Sequence, residues 1–248
     1  MEQNRVALVT GAQQGIGASI AEALIEDRVP VVMNYLTDDS VVRRLEDKAQ
    51  RIGVGAKAVK ADISDVKQVE ALCDAAEAFG GLGYLVSNAA VYPRTSLIEM
   101  SLAEWSQVLS VNLTGSFLVI QAAAKRMIKE EVGGSILAIS SGAAIKGAKN
   151  GAHYSATKSG LLGLAKSAAL EFAQHNIRVN VIAPGLVDTS QPRIEFSEDA
   201  MDDLWQSLPL KGRTNPSDVA DLAVFLLSDR AKRITGQVIH INGGGLMP

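Results

Sequence analysis

Cysteine is almost absent from the 248-residue chain, which has a single thiol at Cys73. One cysteine cannot form an internal disulfide or a cysteine metal centre. The three histidines, His153, His175 and His240, lack the spacing of metal ligands. We therefore expect no bound metal, and the amphipathic pattern around Cys73 predicts that this thiol is a buried helical residue.

Aromatic residues, excess positive charge and long apolar runs are also scarce. The formal net charge is −3, so a nucleic-acid partner is not expected. No uninterrupted run of about 18 apolar residues occurs, which predicts no membrane span, and no signal-peptide pattern is visible. We expect a cytoplasmic protein. Its 47% hydrophobic content is enough to bury a full core.

Two kinds of segment alternate along the chain. Short apolar runs predict strands at Val6–Val9, Pro30–Asn34, Ala56–Lys60, Tyr84–Ser87, Ser135–Ile139, Arg178–Ile182 and Gln237–Ile241. Helical periodicity occupies the longer segments Gly15–Asp27, Asp38–Ile52, Asp65–Phe79, Leu102–Lys129, His153–Gln174 and Pro216–Leu227. This alternation predicts an α/β fold, with a doubly wound parallel sheet of about seven strands and helices on both faces.

The strand and helix signals continue to the C-terminus without a linker, which predicts a single domain over residues 1–248. One segment, at about 188–213, interrupts the alternation of strand and helix signals. It is polar, contains Pro192 and Pro209, and has a short helical pattern at Ala200–Ser207. Long irregular insertions near the end of a sheet are often lids, so we predict a substrate lid there.

A glycine-rich turn, Thr10–Gly17, connects the first predicted strand to the first predicted helix. Glycine permits a tight turn, and the helix N-terminus favours an anion such as a pyrophosphate. An ordinary glycine-rich loop is the alternative, but the position after a strand and before a helix favours a Rossmann-type nucleotide site. The predicted contacts within the turn are Gly11, Gln14, Gly15, Ile16 and Gly17.

A second motif carries the expected chemistry. Tyr154 and Lys158 are four residues apart, so they lie on one face of a helix, and Ser141 ends the fifth predicted strand. A nearby ammonium would lower the pKa of the phenol, which could then exchange a proton with a carbonyl or alcohol oxygen. Such a pair also occurs by chance on many helices. Its position in the sequence after a predicted nucleotide-binding turn favours hydride transfer between a nicotinamide and a ketone or secondary alcohol.

The spacing of the glycine turn, TGxxxGxG, together with the serine, tyrosine and lysine set, resembles the classical short-chain dehydrogenase/reductase family over nearly the whole chain. The 3-oxoacyl-(acyl carrier protein) reductases are the most similar-looking subgroup. The resemblance implies that Tyr154 is the catalytic acid/base, that Lys158 lowers its pKa and holds the nicotinamide ribose, and that Ser141 anchors the substrate. It further implies that Asn112 positions a water in a proton relay with Lys158.

Further cofactor contacts follow from the same resemblance. Asp62 would accept a hydrogen bond from the adenine amino group, although helix capping is an alternative role. The other implied contacts after the third, fourth and sixth strands are Ile63, Asn88, Ala89, Pro184, Gly185, Val187 and Thr189. The family usually has Asn-Ala-Gly after the fourth strand, and Ala90 departs from that pattern.

Cofactor identity is read at the end of the second strand, where an NAD-preferring site usually has an acidic residue. Asn34 and Tyr35 stand there instead and are expected to contact the cofactor. The pair resembles NADP-using reductases of the family. NADP(H) is therefore favoured, and NAD(H) use stays open.

The substrate is predicted only as a small carbonyl compound or alcohol. A carrier-protein substrate is uncertain, because the stretches Lys129–Val132 and His175–Asn176 do not form a clearly basic rim. The alternatives are a dehydrogenase of a small alcohol or sugar, and a nucleotide-binding regulator without catalysis. Similar family members assemble through long helices, which implies a homo-oligomer, either a tetramer or a dimer.

Overall fold

In the computed structural model, the described residues are 5–131, 133–194 and 197–248. Seven parallel strands form one sheet in the order β3-β2-β1-β4-β5-β6-β7. The strands are β1 (Val6–Val9), β2 (Val31–Tyr35), β3 (Ala56–Lys60), β4 (Leu82–Ser87), β5 (Gly134–Ile139), β6 (Ile177–Pro184) and β7 (Val238–Ile241). The predicted Rossmann-type sheet is confirmed, with small shifts at the strand ends.

The helices connect successive strands. They are α1 (Gly15–Glu26), α2 (Ser40–Ile52), α3 (Val66–Gly80), α4 (Leu102–Leu109), α5 (Ser116–Lys129), α6 (Ala143–Lys146), α7 (Ala152–Phe172), α8 (Glu198–Gln206) and α9 (Pro216–Leu227). Local sequence explains several starts. Asp65 caps α3 by accepting from the backbone N–H groups of Lys67 and Gln68, and Asn215 forms a capping box at α9.

Two apolar layers sandwich the sheet. Leu8 and Ile136 face a layer formed with α3, α5 and α7, whereas Ala7 and Leu137 face a layer formed with α1, α2 and α9. All four of these strand residues are buried. Burial on both faces is typical of a parallel sheet, because its crossover helices cover both sides. Loops at the ends of the strands are therefore the part of the sheet that is open to a ligand.

The helix predicted at Leu102–Lys129 is not continuous. Ser110–Gly115 forms a π-helical turn between α4 and α5. This turn is tightly packed. Asn112 is fully buried, and a Cβ atom at Gly115 would lie 2.9 Å from the Ile63 side chain. Single π-helical turns often occur at functional sites, and periodicity alone does not predict them.

By length and composition, the combined stretch Leu102–Lys129 could also cross a membrane. Counting consecutive apolar residues did not indicate this. Half of its most apolar window is buried in the protein, and α5 packs on α3 and β4. Because Val119, Ile120 and Met127 belong to the core, we interpret this stretch as a core helix.

Candidate active site

A cleft of about 640 Å³ opens at the carboxyl ends of β4, β5 and β6. It is lined by residues that follow these strands, among them Asn88, Ser141 and Gly185, and by Tyr154 and Lys158 of α7. The strand order changes direction between β1 and β4, which is where open α/β sheets bind ligands. The fold therefore places the two predicted motifs around one cleft.

The glycine turn after β1 is tightly packed. Gly11 has a φ of +64°, and a Cβ atom there would lie 2.8 Å from Ala89 Cα. At Gly17 a Cβ atom would lie 2.5 Å from Asn88 Nδ2 and would also collide with Gly11 O. Gly15 has a φ of +55° and faces Thr189. A side chain at Gly11 or Gly17 would collide with the loop after β4, so the turn keeps its shape only with glycine there.

The N-terminus of α1 is suited to a phosphate group. Its N-cap residue, Gln14, makes no side-chain capping bond, and the first turn has no acidic residue. Within the described residues, the backbone N–H groups of Gly15, Ile16 and Gly17 have no hydrogen-bond partner. These donors and the helix dipole fit the pyrophosphate of a dinucleotide cofactor.

Asn88 supports this turn from the loop after β4. Its Nδ2 donates to Thr10 O at 3.0 Å and to Gly11 O at 3.2 Å, and its backbone N–H donates to Thr10 Oγ1 at 2.9 Å. The sequence predicted Asn88 and Ala89 as cofactor contacts. The structure places the Asn88 amide against the turn, and Ala89 packs on Gly11.

Asn34 has a similar supporting position. It is 2% exposed, and its Oδ1 accepts from the Gly11 N–H at 3.2 Å. Its Nδ2 donates to Ala61 O at 2.9 Å and to Tyr35 O at 3.3 Å. Both amide hydrogens are engaged, so the side chain connects β1, β2 and β3 and has no donor left for a ribose. Tyr35 is half-buried at the end of β2.

Gln13 occupies the edge of the same region and was not among the predicted contacts. Its Oε1 accepts from Leu36 N at 2.8 Å and from Thr37 N at 3.3 Å, and its Nε2 donates to Thr37 Oγ1. The nearby Arg43 is paired with Asp39 at 3.2 Å, so its charge is not isolated. Polar groups and the paired Arg43 thus lie at the end of β2, and the exposed Lys60 of β3 is the register partner of Tyr35.

Asp62 and Ile63 follow β3. Asp62 Oδ1 accepts from the Ser64 backbone N–H at 2.8 Å and from its hydroxyl at 2.7 Å. Asp65 caps α3, so the capping alternative for Asp62 does not hold. Ile63 is buried and packs against Gly115 of the π-helical turn.

Tyr154, Lys158 and Ser141 come together in the cleft. Lys158 Nζ lies 5.5 Å from the centre of the Tyr154 ring and donates to Ile139 O at 2.7 Å. Ser141 follows β5 and lines the same cleft as Tyr154. Both Tyr154 and Lys158 are buried, at 7% and 3% exposure. A substrate oxygen held at Ser141 would therefore be next to the phenol.

The pKa of Tyr154 differs from the expectation. Burial raises it, while hydrogen bonds with the side chains of Gln191 and Ser141 oppose the change by a smaller amount. Burial lowers the pKa of Lys158 to about 8. The expected lowering of the Tyr154 pKa is thus not found, because burial raises that pKa. Tyr154 retains its proton at neutral pH.

Asn112 lies in the π-helical turn and holds the segment that follows Asn88. Its Oδ1 accepts from Val91 N at 2.8 Å, and its Nδ2 donates to Val91 O at 2.9 Å. A weaker contact reaches Thr157 Oγ1 at 3.3 Å. The side chain that was expected to serve Lys158 thus binds the backbone beside the cleft, next to Tyr92.

Tyr92 was not predicted, yet it contacts the central phenol directly. Its ring stacks on Tyr154 with centroids 4.0 Å apart and an interplanar angle of 26°. Gly151 makes room for it, because a Cβ atom there would lie 2.8 Å from the Tyr92 ring. No sequence motif marks Tyr92, since the stack forms only when the loop after β4 meets α7.

His153 is the second missed residue. It is fully buried, and its Nδ1 accepts from the Tyr154 backbone N–H at 2.8 Å. The Nε2 atom then carries the proton and donates to Glu104 Oε1 at 3.2 Å. The N-cap of α7, Gly151, provides no side-chain bond, so His153 orders the start of the helix that bears Tyr154.

The loop after β6 closes the other side of the cleft. Pro184 O accepts from Gly142 N at 2.9 Å, and Gly185 N donates to Ile241 O at 2.9 Å. Val187 forms an isolated bridge with Thr214, and Thr189 lines the cleft. All four predicted residues of this loop border the cleft.

The predicted lid segment follows, and its residues 195–196 lie outside the described residues. Pro192–Ile194 forms a short 3-10 helix, and α8 comes next. Trp205 anchors α8, because it is buried and its Nε1 donates to Leu186 O at 2.9 Å. Asp188 pairs with both Arg193 and Arg213 across the segment.

The remaining titratable groups do not suggest a second centre. Among the described residues, no group of three or more His, Cys, Asp or Glu side chains is arranged to hold a metal ion. Burial raises the pKa of the Cys73 thiol to about 12, so it is inert at neutral pH.

The chain is similar to known reductases over its full length. A family model described as Enoyl-(Acyl carrier protein) reductase matches residues 11–245. The 3-oxoacyl-(acyl carrier protein) reductase FabG of Staphylococcus aureus is 37% identical over 248 residues, which cover 100% of both chains. FabG of Aquifex aeolicus is 37% identical over 243 residues, covering 98% of this chain and 97% of that relative. Glucose 1-dehydrogenase 2 of Bacillus subtilis is 34% identical over 242 residues, covering 97% and 94% respectively.

These similarities agree with the cleft, the glycine turn and the cluster of Ser141, Tyr154 and Lys158. The chain belongs to the short-chain dehydrogenase/reductase family, resembles its 3-oxoacyl reductases, and is an NAD(P)-dependent oxidoreductase acting on C=O and CH–OH groups.

Proposed function

We propose that the protein reduces the keto group of 3-oxoacyl thioesters with NADPH. The observation that carries this proposal is the meeting of Ser141, Tyr154 and Lys158 in one cleft, beside an uncapped glycine turn. The similarity to 3-oxoacyl-(acyl carrier protein) reductases supports the substrate class. A carrier-protein-linked thioester is the form of substrate named for those relatives.

The reaction needs one hydride and one proton. A nicotinamide cofactor, when bound, would supply the hydride for the carbonyl carbon. Tyr154 gives the phenolic proton to the carbonyl oxygen, and the Ser141 hydroxyl donates a hydrogen bond to the same oxygen. Lys158 stabilises the phenolate that forms, because its ammonium lies 5.5 Å from the centre of the Tyr154 ring and is shielded from water.

Tyr154 acts as the acid in the proposed reduction. Burial raises this pKa, so the phenol is protonated at neutral pH and is ready to act as an acid. An acid is what carbonyl reduction requires, whereas alcohol oxidation requires a base. The protonated phenol is the form that reduction uses, and the reverse reaction would use its phenolate.

The cofactor would lie across the carboxyl ends of the strands. The turn residues Gly11, Gln14, Gly15, Ile16 and Gly17 would hold its pyrophosphate, and Asp62 and Ile63 would border the adenine. Further assigned contacts are Tyr35, Ala89, Pro184, Gly185, Val187 and Thr189. Asn34, Asn88 and Asn112 act in this proposal by holding the loops in place, because their side-chain amides are engaged by backbone groups.

Three further properties belong to the same proposal. The whole chain, 1–248, acts as one domain, and the segment at about 188–213 closes over the substrate as a lid. The protein works in the cytoplasm. It assembles as a homo-oligomer, a tetramer or a dimer, as similar family members do.

Oxidation of a sugar is a second candidate, because the relative from Bacillus subtilis is named as a glucose dehydrogenase. The apolar wall formed by Leu204, Trp205 and Leu208 favours an acyl substrate instead. A regulator without catalysis is not favoured, because the Ser141, Tyr154 and Lys158 set is complete.

The test is oxidation of NADPH and NADH with 3-oxobutanoyl thioesters, a ketose and an aryl ketone. We expect turnover of the thioester with NADPH and its loss in Tyr154→Phe by about 100-fold or more. The affinity for NADPH, followed by nucleotide fluorescence, should be unchanged. Tyr84→Phe, a buried tyrosine of β4, is the control for effects on the fold. Wild-type turnover in Tyr154→Phe would disprove the assignment of the acid.

A further inference from the structure

We infer that the mouth of the cleft recognises an anionic group on the substrate, a carboxylate or a phosphate, through Lys146 and Lys149. The inference rests on the proposed ketoreductase function and narrows its substrate class. It concerns the part of the cleft beyond the reacting carbonyl, which none of the motifs addresses.

The charge of the cleft differs from that of the whole chain. Its described lining contains the cations Arg94, Lys146, Lys149 and Lys158, and no aspartate or glutamate. The whole chain, in contrast, carries 27 acidic and 24 basic residues. A cleft with one sign of charge raises the local concentration of ligands of the opposite sign.

The two lysines are available to a ligand. Both are exposed, and among the described residues neither ammonium has a carboxylate or hydrogen-bond partner. The arginines of the neighbouring lid segment differ, because Arg193 pairs with Asp188 at 2.6 Å and Arg213 pairs with Asp202 at 2.7 Å. The charges of Arg193 and Arg213 are thus neutralised by neighbouring carboxylates, whereas those of Lys146 and Lys149 are not.

Their place in the fold separates these lysines from the cofactor phosphates. Both lie in the connection between Ser141 at the end of β5 and Tyr154 on α7. The glycine turn follows β1, and β4 lies between β1 and β5, so two strand spacings of about 4.8 Å intervene. Lys146 and Lys149 therefore border the substrate side of the cleft.

The walls next to this mouth are apolar. Leu204, Trp205, Leu208 and Leu246 line the cleft on the side of α8 and the C-terminus. A ligand that fits such a site has an apolar body at the carbonyl and a negative charge farther out. Of the stretches that were considered as the rim, Val132 lies outside the described residues, and residues 129–131 and 175–176 do not line the cleft. The lysines after β5 take that position.

The test uses substrate pairs with the same reacting keto group, of which one member is charged and the other uncharged. One pair is 5-oxohexanoate and its methyl ester. The other is 3-oxobutanoyl-coenzyme A and its uncharged N-acetylcysteamine thioester. The variant is Lys146→Gln/Lys149→Gln, and the matched control is Lys57→Gln/Lys232→Gln, which removes the same charge at two exposed positions outside the cleft.

We expect the cleft variant to lower kcat/KM for a charged substrate by about 2- to 30-fold, because each exposed ion pair contributes modestly. The uncharged partner and the control variant should change less than about 2-fold. High salt should weaken the wild-type preference for the charged member. An effect on the oxo acid identifies a carboxylate ligand, and an effect on the coenzyme A thioester identifies a phosphate.

Calorimetric titration of the protein with NADP+ and each substrate analogue gives a second reading that does not need turnover. Equal affinity for the charged and uncharged members, unaffected by the lysine substitutions, would overturn the anion subsite. Failure of all four compounds to oxidise NADPH would instead refute the proposed function, while a charge preference in the titration would still support the subsite.

Discussion

Lys158 is a cation buried in an apolar site, so its removal should have an effect on stability that depends on pH. Burial lowers the pKa of Lys158 from 10.5 to about 8. Keeping the charge therefore costs the folded protein about 3 kcal/mol at pH values well below 8. The unfolded chain binds the extra proton between pH 8 and 10.5, so this cost diminishes as the pH rises through that range.

Lys158→Met removes the charge and keeps most of the side-chain volume. It also leaves Ile139 O without its donor, which costs about 1–3 kcal/mol at every pH. At pH 6.5 the variant should consequently be as stable as the wild type or more stable, by up to about 2 kcal/mol. At pH 9.5 that advantage should be smaller by about 2 kcal/mol, because the wild-type protein regains stability as Lys158 loses its proton.

Urea unfolding at pH 6.5 and pH 9.5, at one protein concentration, measures this difference. Other groups titrate in the same range, but they are common to both proteins and cancel in the comparison. Lys166→Met, at an exposed lysine of the same helix, is the matched control and should show no such pH dependence. If the free-energy difference between Lys158→Met and the wild type is the same at both pH values, Lys158 is not held as a buried ammonium.

Three further substitutions test the framework of the site. Gly17→Ala should abolish measurable NADPH binding in a fluorescence titration, because its methyl group meets Asn88 Nδ2 and Gly11 O, whereas Gly163→Ala, with open space around it, should bind normally. Asn112→Ala should destabilise the protein by about 2–4 kcal/mol in urea, since Val91 loses partners for its N–H and C=O groups. His153→Ala should lower stability by a similar amount and should reduce kcat more than it changes the affinity for NADPH.

The fold was readable from the sequence because each signal was local. Every predicted strand overlaps an observed strand, since a buried parallel strand is a continuous apolar run. The glycine turn and the Ser141, Tyr154 and Lys158 set were predicted on the same basis. Each motif has a fixed spacing within one strand-to-helix connection. The π-helical turn at Ser110–Gly115 was missed because one widened turn hardly changes an apolar pattern.

The contacts that shape the site were not readable, because their partners are far apart in the chain. Asn34 reaches a residue 23 positions away, and Asn88 reaches one 78 positions away. Tyr92 meets Tyr154 only after two loops converge at the end of the sheet. An asparagine, a tyrosine or a histidine in a loop has many possible partners, and its sequence neighbours do not select among them.

This distribution of contacts changes how the family-like residues should be interpreted. Asn34, Asn88 and Asn112 stand where a cofactor contact or a proton relay was expected, but their amides bind backbone groups of neighbouring loops. In a parallel sheet all these loops emerge at one edge, and each carries N–H and C=O groups that no strand partner satisfies. Buried asparagines suit that position, because one amide can donate and accept at once. A loss of activity on replacing any of them would therefore report first on the geometry of the loops, whereas in the proposed mechanism Tyr154, Lys158 and Ser141 act on the reacting atoms themselves.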